Sequence, residues 1–139
     1  KIAIPDSILH KPGKLHAEER ANINTHSAIG AEILSATSSN PVIRMAHVIA
    51  RTHHEKWDGS GYPDALKGEM IPIEGRITAI CDVFDALTMK RPYKTEWSVD
   101  DACALLRAES GTHFDPRLVE LFLEVLPDIQ AIKKAIDGE

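Results

Sequence analysis

Apolar residues recur along this chain at intervals of three and four residues, the spacing that places side chains on one face of an α-helix. Two such stripes are expected to face the core: Val42, Met45, Ala46, Ile49 and His53, then Ile73, Ile77, Ile80, Phe84 and Leu87. No segment alternates apolar and polar residues as a half-buried strand would. The pattern predicts an all-α fold, a single bundle of about five helices.

Polar and turn-forming residues between the stripes predict where helices begin. Asn40 is expected to cap a helix with Pro41 in its first turn, and Ser98 is expected to begin a later helix. An earlier helix should begin at Ala17, after one helical turn near Ser7 to His10. Further helices are expected from Ile73 to Met89, Val99 to Ala108, Arg117 to Leu126 and Ile129 to Ile136.

A segment of about twenty residues before Ile73 shows no helical period, and compact domains seldom keep so long a loop without a functional reason. It contains the string DGSGYP from Asp58 to Pro63. Glycines allow the backbone to approach a ligand closely, although a plain surface turn explains the same string in isolation. The segment is therefore a candidate functional loop.

Composition narrows the class of protein. A chain of 139 residues with 43% hydrophobic residues fits one soluble domain. A formal charge of −5 disfavours binding to polymeric nucleic acid, which requires a basic surface. No apolar run approaches the roughly 18 residues that suggest a membrane span. Cys81 and Cys103, without a CxxC motif, are expected to be buried free thiols in a reducing cytoplasm.

The candidate chemistry begins with the adjacent His53 and His54. Neighbouring residues on a helix project about 100° apart, so the pair suits two neighbouring ions, or one ion and one substrate, better than one shared ion. Imidazole binds iron, zinc and manganese, and carboxylates add charge or bridge metals. With His26 and Asp82 the pair forms a partial ligand set drawn from three helices.

Each of these residues could instead have a purely structural role. His26 alone fits a hydrogen-bonded core position. Asp82 lies in the apolar run ICDVF, where a buried carboxylate would need a cation, and an ion pair with Arg76 or Arg91 would supply one. Arg91 and Lys94 could contact phosphate oxygens, or belong to a solvated surface. Asp85 could support a ligand or a loop.

The conjunction of these segments resembles the HD-GYP family, bacterial hydrolases of cyclic dinucleotides within the HD metal-dependent phosphohydrolase superfamily. The matching strings are HHExxDGxGYP from His53, then LKGxxIP, RIxxxxDxFDAL and RPYK. Upstream they are KIxIPDxILxKPGKL from Lys1 and THxxIGAEIL around His26, and downstream GTHFDP from Gly111. Nearly the whole chain is covered, so the resemblance is far more specific than one HH or GYP match.

The resemblance implies a set of site residues and cofactors. The implied metal ligands are His26, His53, His54 and Asp82, which would hold two or three divalent ions, iron or alternatively manganese. The implied phosphate contacts are Lys1, Arg91 and Lys94, with Tyr62 at the substrate pocket, and Lys1 and Asp82 are the implied catalytic residues. The metals would activate water for hydrolysis of cyclic di-GMP to pGpG and in some members to GMP.

The chain departs from the family pattern mainly at its start. The family's His-Asp pair would lie just before the Gly-Lys whose lysine is Lys1, so residues 1–139 are interpreted as an HD-GYP domain truncated at its N-terminus. Such a chain should bind metal poorly alone and expose an apolar groove that favours a homodimer. Ala65, where a glycine is usual, and Gly75 are minor departures.

The expected function is hydrolysis of cyclic di-GMP in bacterial second-messenger signalling. Two alternatives remain open. One is an inactive module that binds a cyclic dinucleotide or docks a GGDEF-domain protein. The other is a phosphodiesterase for a different substrate, such as a cyclic GMP-AMP.

Overall fold

The computed structural model describes residues 4–35, 39–89 and 96–137. Within these ranges the chain forms seven α-helices, one 3-10 turn at Gly68–Met70 and no β-strand. The helices are α1 (Asp6–Leu9), α2 (Ala17–Ser35), α3 (Pro41–Thr52), α4 (Ile73–Thr88), α5 (Val99–Ala108), α6 (Pro116–Glu124) and α7 (Leu126–Asp137). The predicted all-α class is confirmed. The number exceeds about five because it includes the short α1 and the terminal α7, both of which the sequence indicates as helical segments. None of the described helices is long and apolar enough to cross a membrane.

Side-chain caps fix the starts of α3 and α5, as the sequence predicts. The Asn40 side chain accepts a hydrogen bond from Val42 N at 2.9 Å, and Pro41 occupies the first turn of α3. The Ser98 hydroxyl accepts from Asp101 N at 3.0 Å and starts α5. These side chains satisfy backbone donors that have no partner within the helix. The predicted starts of α2, α3, α4 and α5 are confirmed.

The core lies where α4, α5 and α6 meet. Phe84 of α4 and Phe122 of α6 form an edge-to-face pair with ring centroids 5.1 Å apart. Around them pack Ala79, Ile80, Leu87, Ala102, Cys103, Leu106, Phe114 and Val119. Burial of one large apolar side chain stabilises a fold by about 1.5–3 kcal/mol. This cluster therefore fixes α4, the helix that carries Asp82.

Part of the predicted core is exposed. Val42 and Met45 of α3 are 72% and 53% exposed, and Ile73 and Ile77 of α4 are 50% and 46% exposed. Cys81 is also exposed, whereas Cys103 is buried as expected. The predicted burial of these five residues is wrong because helical periodicity identifies residues on a common face but does not show what covers that face.

A close approach between α3 and α4 sets the position of the α3 C-terminus. A Cβ added to Gly75 would lie 2.8 Å from Thr52 Cβ, closer than side-chain atoms pack. Thr52 is buried and its hydroxyl donates to Val48 O at 2.7 Å. Gly75 therefore permits a helix contact, and this contact holds the end of α3, next to His53, against α4.

Candidate metal centre and its loop

Three histidines meet where α2 approaches the end of α3. One ligand atom from each of His26, His53 and His54 lies within 4.8 Å of the other two. The Nε2 atoms of His26 and His54 are 3.1 Å apart, and the ring centroids of His53 and His54 are 4.0 Å apart. All three side chains are half-buried. Imidazoles converging in this way are a typical ligand set for a transition metal.

The convergence of His53 and His54 corrects the expectation that they could not easily share one ion. That expectation assumed a helical offset of about 100° between adjacent residues. Helix α3 ends at Thr52, His53 is the C-cap, and His54 lies in the following turn. His53 keeps right-handed helical φ and ψ angles of −67° and −11°, so the two rings converge through their side-chain orientations at the end of the helix, with ring centroids 4.0 Å apart.

Backbone carbonyls orient two of the three rings. His26 Nδ1 lies 2.6 Å from Ile23 O, while His53 Nδ1 lies 2.9 Å from Ile49 O and 3.0 Å from Ala50 O. Because a carbonyl only accepts, each Nδ1 must donate its hydrogen, which places the ring's lone pair on Nε2. Such carbonyl contacts commonly fix the tautomer of histidines that bind metals. The donor set therefore fits a divalent cation.

Asp82 lies outside the histidine group. Among the described residues, no carboxylate joins the three imidazoles within 4.8 Å. Asp82 is exposed on α4, so its expected burial is wrong. Of its two expected ion-pair partners, Arg76 pairs with Asp115 instead, at 2.7 Å, and Arg91 lies outside the described residues. The apolar run around Asp82 misled the prediction, since α4 buries Ile80 and Phe84 on a separate face.

Tyr62 packs against His54, and the charge of Asp82 acts on its phenol. Its ring centroid is 4.9 Å from that of His54, with the planes tilted by 31°. Burial raises the pKa of the Tyr62 phenol, the charge of Asp82 raises it further, and Arg20 opposes this effect. The phenol therefore stays protonated near neutral pH and can donate a hydrogen bond. Tyr62 lies beside the candidate metal centre, and its implied place at the substrate pocket stays a prediction.

The loop between α3 and α4 is held from inside by Glu55. This residue is only 2% exposed, and its two carboxylate oxygens accept from Asp64 N at 2.7 Å and Leu66 N at 3.0 Å. Tyr62 N donates to His54 O at 3.2 Å. Sequence reasoning missed Glu55. The length of the loop was the usable signal, because a long loop needs acceptors for its backbone N–H groups.

Gly61 permits the tight return of this loop. A Cβ there would lie 2.5 Å from Glu55 Cα and 2.6 Å from His54 O. Outside the turn, Arg51 of α3 makes a two-pronged ion pair with Asp64, both contacts at 2.7 Å. The hydrogen bond and the charge of Asp64 raise the pKa of Arg51. The GYP string is thus a packing requirement here and not a plain surface turn.

The GTHFDP segment supports the other side of the loop. Trp57 N donates to His113 O at 3.0 Å, and Asp58 N donates to Thr112 O at 2.8 Å. Burial lowers the pKa of His113, which favours its neutral form. The GTHFDP segment therefore supplies hydrogen-bond acceptors to the loop that contains DGSGYP. This structural role explains why the two strings, which are distant in the sequence, occur together.

Arg76 links this segment to α4. Its guanidinium pairs with the buried Asp115 at 2.7 Å and lies over the Trp57 ring, 5.8 Å from the centroid. The other Asp115 oxygen accepts from Arg117 N at 3.0 Å and caps α6, which begins one residue earlier than predicted. The Asp115 carboxylate thus binds Arg76 of α4 and caps α6. Through the contact of Arg76 with Trp57, it also stabilises the loop.

Three residues implied as phosphate contacts cannot be placed by this geometry. Lys1, Arg91 and Lys94 lie outside the described residues. Of the implied site residues that are described, the structure brings His26, His53, His54 and Tyr62 together, whereas Asp82 lies outside the histidine group.

Comparison with known proteins agrees with this architecture. Residues 1–118 match the model of the HD domain family. The chain is 54% identical over 136 residues to the 3'3'-cGAMP-specific phosphodiesterase 2 of Vibrio cholerae, covering 98% of the chain and 26% of that protein. It is 52% identical over 132 residues to the cyclic di-GMP phosphodiesterase response regulator RpfG of Xanthomonas campestris, covering 95% of the chain and 35% of that protein.

A solved structure supports the fold. The cyclic GMP-AMP specific phosphodiesterase V-cGAP3 of V. cholerae superposes with a TM-score of 0.56 at 22% identity, covering 87% of this chain and 31% of that one. The chain thus spans about a quarter to a third of the length of the relatives it matches. With the family model matching most of its residues, the chain belongs to the HD domain family.

Proposed function

We propose that the protein containing this chain is a metal-dependent phosphodiesterase of the HD-GYP type that hydrolyses cyclic di-GMP to pGpG, which some members of the family convert further to GMP. The cluster of His26, His53 and His54 beside the Tyr62 loop carries the proposal, because it joins a metal ligand set to a constrained loop. Relatives named as cyclic dinucleotide phosphodiesterases, at 52% and 48% identity, support it.

The metal ligands in this proposal are the three histidines together with Asp82. Divalent ions bound there, iron or alternatively manganese, would lower the pKa of water and neutralise charge on the diester. Carbonyl contacts at Nδ1 keep His26 and His53 turned towards the site before any ligand arrives. The exposed Asp82 carboxylate would close the site from α4.

The substrate contacts in this proposal come from the loop and from basic residues. The protonated Tyr62 phenol would donate to a phosphate oxygen or place its ring against a base. Lys1, Arg91 and Lys94 are proposed as phosphate contacts on their motifs alone. Arginine can hold two phosphate oxygens at once, whereas lysine acts as a point charge.

A second substrate, 3'3'-cGAMP, is favoured by one observation. The relative at 54% identity is named as specific for that dinucleotide. Both substrates present two phosphodiesters and differ in one base. The choice between them would therefore depend on base contacts and not on the metal centre.

The remaining features of the proposal concern context. Residues 1–139 would form part of one HD-GYP domain in a cytoplasmic bacterial signalling protein. A GGDEF-domain protein is a proposed partner, which would dock on the GYP loop. A homodimer is also proposed, with exposed apolar residues such as Ile77 and Val125 as its contact surface.

Turnover by the full-length protein tests the proposed function. Protein loaded anaerobically with iron(II) or manganese(II) should convert cyclic di-GMP to pGpG, and His54→Ala should abolish the conversion. Faster conversion of 3'3'-cGAMP would change the substrate and keep the reaction. Absence of hydrolysis of both dinucleotides with both metals would contradict the proposal.

A further inference from the structure

Glu55 is a buried carboxylate that has no place among the metal ligands or the phosphate contacts. It directly follows His54, is 2% exposed, and binds backbone N–H groups through both oxygens. A buried charge is costly unless hydrogen bonds and opposite charge compensate it. The two amides and the nearby Arg51, whose pKa the charge of Glu55 helps to raise, provide that compensation.

The contacts of Glu55 enclose Tyr62. Its bonded amides belong to Asp64 and Leu66, which follow Tyr62. Gly61, which precedes Tyr62, packs directly on the Glu55 backbone, where no Cβ would fit. Tyr62 N in turn donates to His54 O. The backbone on both sides of Tyr62 is therefore fixed to the same short stretch that carries the metal-binding imidazole.

The ion pair between Arg51 and Asp64 also restrains the loop. Its two side chains are 38% and 33% exposed, so solvent screens the pair strongly. The Glu55 contacts are shielded from water, where hydrogen bonds are stronger. Glu55 is thus the stronger restraint.

We propose that Glu55 is a positioning residue that holds Tyr62 beside His54 and thereby sets the affinity for the cyclic dinucleotide. The substrate part of this inference rests on the proposed function, whereas the loop part does not. Glu55 acts only through Tyr62 and contacts neither substrate nor metal.

The test compares Glu55→Gln with Glu69→Gln in the metal-loaded full-length protein. In Glu55→Gln, the glutamine side chain keeps one acceptor and turns an NH₂ group towards the second backbone amide. Glu69 is exposed, so Glu69→Gln removes the same charge from the loop without disturbing these contacts. In Glu55→Gln, amide hydrogen exchange at Asp64 and Leu66 should accelerate at least tenfold. The KM for the cyclic dinucleotide should rise about tenfold, with kcat changed less than about threefold and metal content unchanged. Glu69→Gln should leave all four quantities as in the wild type.

A double-mutant cycle with Tyr62→Ala separates positioning from general loss of stability. If Glu55 acts through Tyr62, adding Glu55→Gln to Tyr62→Ala should raise KM no further. Fully additive effects would overturn the proposal. If Glu55→Gln does not fold, Glu55→Asp, which keeps the charge on a side chain one methylene shorter, should show the same changes in smaller size.

Failure of this inference is distinguishable from failure of the proposed function. Unchanged exchange at the Asp64 and Leu66 amides would overturn the inference even if the wild type hydrolyses its substrate. Faster exchange with an unchanged KM would overturn the substrate part. A wild type that hydrolyses neither dinucleotide would overturn the proposed function and the substrate part, while the exchange measurement would still decide the loop part.

Discussion

The histidine-and-loop region and the Asp82 face of α4 are built differently. Around the loop, buried groups such as Glu55 and Asp115 bind backbone and side-chain partners at 2.7–3.0 Å. On α4, Asp82 and its neighbours Cys81 and Asp85 are exposed. The side chains around the loop thus belong to a hydrogen-bonded framework, whereas Asp82 lies on an exposed face of its helix. Substitutions in the framework should therefore cost stability, whereas substitution of Asp82 should cost function alone.

The largest effect is expected for Asp82→Ala. Loss of a ligand should lower metal affinity by at least about 100-fold, more than the loss of an outer contact usually costs, and abolish turnover. The free energy of unfolding without metal should change by less than about 0.5 kcal/mol, because the side chain is exposed. Metal analysis, turnover and chemical denaturation of the metal-free protein measure the three quantities. Equal metal content in variant and wild type would refute the ligand role.

Asp115→Asn should give the largest loss of stability. Asparagine can still cap α6, but it leaves the Arg76 guanidinium without its opposite charge in a site where the two side chains are 16% and 4% exposed. Breaking such a buried pair costs about 3 kcal/mol. The matched change Asp64→Asn in the exposed pair with Arg51 should cost less than about 1 kcal/mol. Urea denaturation of both variants checks the contrast, and equal losses would contradict it.

Gly61→Ala should cost about 2 kcal/mol, since the added methyl group must displace the backbone of Glu55 or His54. Gly30→Ala, within helix α2, is the control, because the added Cβ would lie at an ordinary contact distance of 3.8 Å from the Cβ of Ala50 in α3. That change should stabilise the protein by about 0.5 kcal/mol. If denaturation shows Gly61→Ala to be as harmless as Gly30→Ala, the loop is not held as tightly as described.

The smallest effect is expected at Ala65, which adopts a left-handed φ of 52°. A non-glycine residue pays a steric penalty in this region, partly offset because glycine gains freedom in the unfolded chain. Ala65→Gly should therefore raise the free energy of unfolding by about 0.5 kcal/mol. Thermal denaturation compared with the wild type measures the change. A lower melting temperature of Ala65→Gly would show that the left-handed backbone at Ala65 costs less than the freedom that glycine gains in the unfolded chain.

Features set by neighbouring residues were predictable from the sequence. Asn40, Pro41 and Ser98 start their helices through contacts within three residues. The histidine set was implied by motif resemblance, and the structure brings three of its members together. Capping depends on local chain geometry, which sequence patterns express directly.

Features that depend on distant packing were not predictable. The exposure of Val42 and Ile77 depends on which element covers each helix face, which periodicity does not encode. The convergence of the His53 and His54 rings depends on side-chain orientations at the end of α3, which the sequence pattern does not express. Glu55 was missed because its partners lie nine and eleven residues away across an irregular loop. The resemblance indicated the three histidines, whereas the contacts that hold the loop depend on packing between residues distant in the sequence.

The contact between Gly75 and Thr52 has a consequence for how this family can diverge. Because a Cβ at position 75 would overlap the Thr52 side chain, neither position can change freely while the other stays the same. Homologous sequences with a larger residue at the position of Gly75 should carry glycine, alanine or serine at the position of Thr52. Covariation of these two columns would record the α3–α4 crossing in natural sequences.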